Sequence, residues 1–205
     1  PILVVKDEIE IPKELVQAQM NLIMDLDGLS VNGLKFLTTI TRGLYYRTAH
    51  YVTTRAIESY GDALETLIGL YNAGGFLLKE IHCDNEFRPL MGPLGTKHGI
   101  VMNFANPQEH VPRAERNNRV VQERVRATYH RLPYTKIPRI MMKYMVMEAT
   151  KKLNFYPAKH GISKHHSPRM IVQRENLNHE KHCKFSFGAY VQGHNEPTPL
   201  NTNAP

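Results

Sequence analysis

The sequence predicts an α/β protein in which a mixed five-stranded sheet is flanked by helices. Three strand-like apolar segments follow one another, two further strands alternate with helical segments, and two helices come last. Strands joined by short turns pair antiparallel, whereas strands joined through a helix add in parallel. The predicted order is therefore strand, strand, strand, helix, strand, helix, strand, helix, helix.

The first three strands are predicted from NLIMDLDGLSVNG, LKFLTTI and LYYRTAHYVTT. In the first segment Ile23, Asp25 and Asp27 share one side, while apolar neighbours share the other. The pair Arg42-Gly43 marks a turn between the second and third segments. We therefore expect an antiparallel meander, with the first strand at the centre of the sheet.

In the remaining elements the spacing of apolar residues changes between helical and strand-like. Residues 55–72 are predicted to form a helix with Thr54 as its cap and Gly74-Gly75 at its end. Its apolar side chains fall at helical spacing: Ile57, Tyr60, Leu64, Leu67 and Tyr71. FLLKEIHC is the fourth strand, FRPLMGPLGTKH a short helix and loop, and GIVMNFA the fifth strand.

Two helices are predicted next, at about 112–129 and 134–153. The second is expected to pack through an apolar, methionine-rich stripe: Ile137, Ile140, Met141, Tyr144 and Met145. We divide the chain into an arm at 1–19, a core at 20–156 and a closing extension at 157–205 that ends in a disordered tail. The extension is expected to be irregular apart from the apolar piece FSFGAYV.

Charge is distributed unevenly along the chain. Residues 1–110 hold 9 basic and 13 acidic residues, whereas residues 111–170 hold 14 basic and 3 acidic ones, a net charge of +11. A strongly basic segment after a mildly acidic one indicates a polyanionic partner, with nucleic acid as the leading candidate.

Composition excludes several classes of protein. Two cysteines a hundred residues apart, Cys83 and Cys183, form no disulfide framework, and a reducing compartment is expected. The histidine spacings match no regular zinc pattern, and no phosphate-binding glycine motif is present. We expect no membrane partner, since no apolar run approaches spanning length, and we expect a piece of a longer polypeptide.

Three carboxylates stand on three elements that can meet at one edge of the predicted sheet. Asp27 lies on the first strand, Asp84 ends the fourth, and Glu115 lies in the first turn of the basic helix. Converging carboxylates repel one another unless cations lie between them, and Mg²⁺ or Mn²⁺ prefers such oxygen ligands. A pair of these ions can clamp the attacking and leaving oxygens of a phosphodiester displacement.

Alternatives remain for two of the three acids. Asp25 lies two residues from Asp27 on the same side of the strand and is the alternate first acid. Glu109 and Glu123 compete with Glu115 for the third place, since Glu123 lies about two helical turns further along the same helix.

The chain resembles the catalytic core of copia-type retrotransposon integrases, which have an RNase H-like fold and a DDE metal site. Four segments in order carry the resemblance: DGLSVNGLKFLTTITRG, CDNEF, NPQEHVPRAERNNRVVQERVR, and HSPRMIV followed by FSFGAYV. They cover roughly residues 20–192. DNEF lacks the glycine usual after its Asn, EHVPRAE replaces the usual Asn-Gly turn, and no His/His/Cys/Cys zinc module precedes the core.

The resemblance implies metal-dependent processing of DNA 3′ ends and strand transfer into target DNA, with two Mg²⁺ or Mn²⁺ ions. Asp27, Asp84 and Glu115 match the catalytic and metal-binding acids, and the offset from Val31-Asn32-Gly33 favours Asp27 over Asp25. It also implies a homo-multimer that binds element ends and target duplex, first in a cytoplasmic particle and then in the nucleus.

Candidate DNA-binding residues lie close to the third acid. Glu115, Arg119, Gln122 and Arg126 share one face of the 112–129 helix, and Ala114, Asn118, Val121 and Val125 share a face expected to pack on the sheet. The DNA-contacting candidates share a basic or amide side chain: Arg119, Arg126, Arg116, Lys97, Asn106 and Gln108.

Two other functions stay open at the level of sequence. One is a catalytically inactive, nucleic-acid-binding remnant of a mobile element. The other is a different RNase H-like nuclease that cuts RNA–DNA hybrids. Binding without nicking favours the first, and strand-transfer products on duplex DNA exclude the second.

Overall fold

A computed structural model describes residues 11–53, 57–105 and 111–191. The five strands are β1 (Asn21–Val31), β2 (Leu34–Thr41), β3 (Arg47–Val52), β4 (Leu77–Cys83) and β5 (Val101–Phe104). They form one sheet in the order β3-β2-β1-β4-β5, so the first strand is central. β1, β2 and β3 pair antiparallel, and β4 and β5 add in parallel, which confirms the predicted fold class.

The helices of the described ranges lie between and after these strands. They are α1 (Lys13–Ala18), α2 (Ile57–Ala73), a 3₁₀ helix (Asn85–Leu90), α3 (Met91–His98), α4 (Pro112–His130), α5 (Arg139–Lys152), α6 (Pro168–Gln173) and α7 (His179–His182). None of them is long and apolar enough to cross a bilayer. The predicted cap Thr54 lies outside the described residues, as does the tail beyond residue 191.

A tight turn at Asn32-Gly33 fixes the register of β1 and β2. Both residues have positive φ, 48° and 76°, as hairpin turns of the Asn-Gly type require. The turn pairs Val31 with Leu34 and, further along the ladder, Asp27 with Thr38. A one-residue slip would turn every side chain to the opposite face, so the turn determines which face carries the acids.

Each face of the sheet has its own apolar core. Leu22, Met24 and Leu26 of β1 pack toward α2, whose Leu64, Leu67 and Tyr71 are buried there. The second core joins the other face to α4 and α5 through apolar residues of both layers: Leu29, Phe36, Val121, Val125, Met145 and Val146. Asp25 and Asp27 alternate with the first set and therefore lie on the side of α4.

The predicted second helix of the C-terminal half was wrong in its start and in its buried stripe. It begins at Arg139 rather than Tyr134, because Pro138 disfavours helical conformation in the residue before it. Ile140 and Tyr144 are more than half exposed. Met145 is buried as predicted, and the other buried positions of the helix are Met142, Val146, Ala149 and Thr150.

The segment after residue 157 is more ordered than predicted. It contains α6, whose N-cap is Ser167. The Ser167 hydroxyl oxygen accepts a hydrogen bond from the Met170 N–H at 3.2 Å. Ile171 and Val172 are buried in the core on the α2 side of the sheet. Six residues with only two buried aliphatic side chains give too little periodicity to reveal such a helix from sequence.

Candidate active site

The register of the parallel strands brings Asp27 and Asp84 to the same level of the sheet. Asp25 of β1 pairs with His82 of β4, so two more residues along both strands set Asp27 beside Asp84. β4 ends at Cys83, and Asp84 therefore lies at its carboxyl end, as predicted. Ligand sites of such sheets form at the carboxyl ends of parallel strands.

Glu115 reaches the same region from α4. Pro112 occupies the first position of this helix, where its missing N–H costs nothing, and Glu115 lies in the first turn. The helix packs on the sheet through a face that includes Ala114, Asn118, Val121 and Val125. That arrangement sets the exposed face with Glu115 beside the acids of β1 and β4.

Electrostatic coupling shows that the acids share one environment. The pKa of Asp27 is raised to about 6. Burial is the largest cause, the Gly28 N–H opposes it with a 2.7 Å hydrogen bond to Asp27 Oδ1, and the negative charges of Asp84, Glu86 and Glu115 add to the rise. Asp27, Asp84 and Glu115 therefore lie in one electrostatic neighbourhood.

Glu86 is a fourth acid of this neighbourhood that the sequence interpretation did not assign to the site. It lies in the 3₁₀ helix that begins directly after Asp84. Its Oε1 lies 3.2 Å from the position that a Cβ on Gly28 would take. The acid–amide–acid run Asp84-Asn85-Glu86 is the sequence feature from which a second acid at this site could have been predicted. The 3₁₀ helix after the strand turns this second acid, Glu86, back toward β1.

Asn118 holds Asp27 in place from the buried face of α4. Its Nδ2 donates to Asp27 Oδ2 at 2.6 Å and to the Gly28 carbonyl at 3.2 Å. Its Oδ1 accepts from the Thr38 hydroxyl at 2.5 Å, and Thr38 also reaches the Asp27 carbonyl at 3.1 Å. The sequence did not predict that Asn118 orients Asp27. The available signal was an amide on a helix face of apolar packing residues.

Asp25 has a different environment from Asp27. It is fully buried and makes a two-pronged ion pair with Arg42, with Nε–Oδ2 and Nη2–Oδ1 distances of 3.0 and 2.7 Å. Arg113 Nε lies 3.8 Å from Oδ2. Because its oxygens are already held by guanidinium groups, Asp25 is a structural carboxylate, and Asp27 is the better candidate for the first acid.

Glu115 is also distinguished from the other two candidates for the third acid, Glu123 and Glu109. Glu123 is exposed two helical turns from Glu115 and is not among the charges that raise the pKa of Asp27. Glu109 lies outside the described residues. Glu115 is therefore the candidate that the geometry joins to Asp27 and Asp84.

The predicted DNA-contacting residues fall into separate groups. Arg119 and Arg126 are exposed on the face of α4 that carries Glu115. Lys97 lies in the last turn of α3, where its Nζ is 2.9 Å from Glu65 Oε1. Asn106 and Gln108 lie outside the described residues.

Arg116 points to another part of the surface than Arg119. It lines a cleft of about 670 Å³ together with Arg47, Arg124, Lys152, Lys159 and two tyrosines, Tyr45 and Tyr156. No acidic residue lines this cleft among the described part of the chain. The basic surface therefore extends around α4 on more than one side of the acids.

The carboxylates do not form a ready ligand cage. Within residues 11–53, 57–105 and 111–191, no three His, Cys, Asp or Glu side chains are gathered closely enough to hold a metal ion. The donor chemistry nevertheless fits a hard divalent cation, because all four groups offer carboxylate oxygens and their mutual repulsion favours a cation between them. Rotation of exposed side chains such as Glu86 and Glu115 would be needed to close the site.

Cys83 is unsuited to nucleophilic chemistry. It is buried in the core at the end of β4. Burial, with the negative charges of Asp84 and Glu86, raises its pKa to about 12, so the thiolate is scarce at neutral pH.

Comparison with known proteins gives no family assignment: no protein-family model and no curated protein matches this chain.

Proposed function

We propose that this chain is the catalytic core of an RNase H-like DDE polynucleotidyl transferase, an integrase that processes DNA 3′ ends and joins them to target DNA. The observation that carries the proposal is the shared environment of Asp27, Asp84 and Glu115, in which burial and like charge raise the pKa of Asp27 to about 6. The resemblance to copia-type integrases supports the same assignment from the order of four motifs.

In this proposal Asp27, Asp84 and Glu115 would hold the divalent cations, and Glu86 is a further candidate ligand. Bound Mg²⁺ or Mn²⁺ supplies Lewis-acid stabilisation of the oxygens of a phosphodiester. Asn118 orients the Asp27 carboxylate through its 2.6 Å hydrogen bond. The N–H of Gly28 binds the other oxygen, so Asp27 is fixed before any substrate arrives.

Positive charge beside the acids provides a path for DNA. Arg119 and Arg126 lie on the face of α4 that carries Glu115. The phosphate backbone of a DNA strand bound at the acids would therefore run along this helix. The cleft lined by Arg116 and Arg124 offers contacts for a second stretch of backbone. The protein would act as a multimer, first in a cytoplasmic particle and then in the nucleus.

The decisive experiment is nicking and joining of an end-labelled DNA duplex in Mg²⁺ or Mn²⁺. Asp84→Asn should lower both activities by about 100-fold or more, the scale seen when one transition-state-stabilising group is removed. DNA binding should persist, since the basic surface is unchanged. Asp62→Asn is the matched control, because Asp62 is exposed on α2, which packs on the opposite face of the sheet.

The outcomes separate this proposal from the alternatives. Joined products that require Asp84 support the transferase. Cleavage of RNA–DNA hybrids without joining on duplex DNA would favour a different nuclease. DNA binding by wild-type protein that never leads to nicking, in any divalent cation, would instead indicate an inactive remnant.

Divalent-cation binding should depend on pH through Asp27. Below about pH 6 the folded protein holds a proton on Asp27, whereas the unfolded chain releases it near 3.8. This carboxyl therefore contributes less to stability as the pH rises from about 4 to 6, and a cation binds without proton competition only above that window. Mg²⁺ at ten times its Kd should raise the Tm by about 3–6 °C at pH 7.5 and by clearly less at pH 5.

The control for this measurement is Asp27→Asn, in which the pH dependence of the Mg²⁺ effect should disappear. An equal Tm increase at both pH values in the wild-type protein would exclude Asp27 as a ligand.

A further inference from the structure

The edge strand β3 offers unpaired main-chain groups. Within the described residues it pairs only with β2. The Tyr46 carbonyl accepts from Thr41 N at 3.0 Å, so the main-chain groups of Tyr46 point toward β2. The main-chain groups of Arg47 point away from β2: its N–H donates to Asn154 Oδ1 at 2.8 Å, and its carbonyl accepts from Asn154 Nδ2 at 2.7 Å. Because direction alternates along a strand, the N–H and C=O of Ala49 also point outward.

Asn154 thus makes the two hydrogen bonds that a neighbouring strand would make to Arg47. Two residues further along, the main chain of Ala49 makes no such bond to any residue of the described part of the chain. Ala49 instead lines a groove of about 800 Å³. This groove is large enough to admit a segment of polypeptide beside the strand.

The groove has two chemically different walls. Leu67 and Leu70 of α2 stand on one side, and Tyr144, Met147 and Lys151 of α5 stand on the other. Side chains of an added strand would alternate between these walls. Beyond the contact of Arg47 with Asn154, the strand continues from Ala49 to Val52, which corresponds to about 13 Å of extended chain.

Charge in the groove favours an acidic occupant. Five cationic side chains line it against two carboxylates, a surplus of three positive charges: Arg47, Lys151, Lys152, Arg169 and Lys181 against Glu148 and Glu175. Glu175 is held by Arg169, and Glu148 lies 3.9 and 3.7 Å from Lys151 and Lys152. Both carboxylates are therefore already shared with cations.

We propose that this groove binds an extended segment of a partner protein, which adds to β3 as a sixth strand and alternates apolar and acidic side chains. The apolar side chains would face α2, and the acidic ones would face the lysines of α5. A second copy of β3 fits less well, because its own basic side chains would meet the same surplus of positive charge. None of Asp27, Asp84 and Glu115 lines the groove, so the inference is independent of the proposed function.

The first test uses a peptide of defined chemistry. An acetylated, amidated hexapeptide of alternating valine and glutamate should bind with a Kd of about 1 mM or tighter, measured by calorimetry or by chemical-shift changes around Ala49. A hexapeptide with lysine in place of glutamate should bind at least about tenfold more weakly. Methylation of the main-chain nitrogens that face β3 should weaken binding by about tenfold, since it removes the ladder donors while keeping every side chain.

Variants of the protein complete the test. Ala49→Pro removes the outward N–H without breaking the β2 ladder, which makes proline tolerable at this edge position, and should lower affinity about tenfold. Lys151→Glu should lower affinity for the glutamate peptide and raise it for the lysine peptide. Circular dichroism checks the fold of both variants.

Three results would overturn the proposal. They are no binding of the glutamate peptide at millimolar concentration, equal binding of its N-methylated form, and a homodimer in sedimentation that Ala49→Pro dissociates. The last would assign the groove to a second copy of the chain.

Discussion

Replacing Arg42 with alanine is expected to lower the free energy of unfolding by about 3 kcal/mol, because it leaves the fully buried Asp25 carboxylate without its main counter-charge. Arg113, whose Nε lies 3.8 Å away, compensates only in part. For a chain of this size the loss corresponds to a decrease in Tm of about 6–12 °C. Urea and thermal unfolding measure both quantities.

Two further variants test whether the buried charge is the cause. Arg42→Ala combined with Asp25→Leu should recover much of the lost stability, since a buried ion pair can be replaced by apolar side chains of similar size. Arg126→Ala removes an exposed arginine of α4 and should change the free energy of unfolding by no more than about 0.5 kcal/mol. If the double variant is no more stable than Arg42→Ala, the stabilisation by Arg42 lies in its packing rather than in its charge.

Replacing Asn118 with aspartate is expected to lower Mg²⁺-dependent nicking by about 100-fold. The new carboxylate would stand where the amide nitrogen now lies 2.6 Å from Asp27 Oδ2, exchanging a donor for a like charge. The same change should move the acidic limb of the pH–activity profile to higher pH, because added negative charge raises the pKa of Asp27. A purely structural role for Asn118 would not shift this limb.

Asn117→Asp is a closely matched control. Asn117 is the preceding residue of α4 and is also buried, but its Oδ1 accepts from Arg47 Nε at 3.0 Å and it does not contact Asp27. An aspartate there keeps this acceptor and gains a counter-charge. Nicking by Asn117→Asp should stay within about threefold of wild type, and equal losses in both variants would contradict a specific role for Asn118.

The sheet could be predicted because local signals agree with tertiary structure. Alternation in β1 separates Ile23, Asp25 and Asp27 from the apolar face. The turn uses Asn32 and Gly33, the residue types that best tolerate the positive φ angles found there. Helical spacing in residues 55–72 identified four of the five buried positions of α2, although Ile57 is 41% exposed. Strand order then follows from simple connection rules.

The errors lie where several patterns fit the same residues. In the methionine-rich run of α5, more than one helical stripe is apolar, so sequence alone does not select the buried one. Only packing against β3 and α4 does so.

Contacts at the candidate site depend on residues far apart in sequence. Asn118 bonds to Asp27 across 91 positions, and Arg42 bonds to Asp25 across 17. No local periodicity predicts which of two aspartates on one strand face receives an arginine and which receives an amide. The three acids could be selected as candidates from local motifs, whereas their partners Asn118 and Arg42 stand in no motif that links them to an acid.

The spacing of two between Asp25 and Asp27 also bears on folding accuracy. A shift of β1 by two residues keeps each side chain on its own face, so apolar alternation does not discriminate against it. Such a shift would bring Asp27 to the buried position near Arg42 and carry Asp25 to the half-buried position that Ile23 now occupies. The two-pronged fit to Asp25, together with the 2.8 Å bond from Arg42 N–H to the Ile23 carbonyl, therefore favours the same alignment as the Asn32-Gly33 turn. Loss of Arg42 would thus remove one of the two features that select the correct alignment, and the Asn32-Gly33 turn would be left as the other.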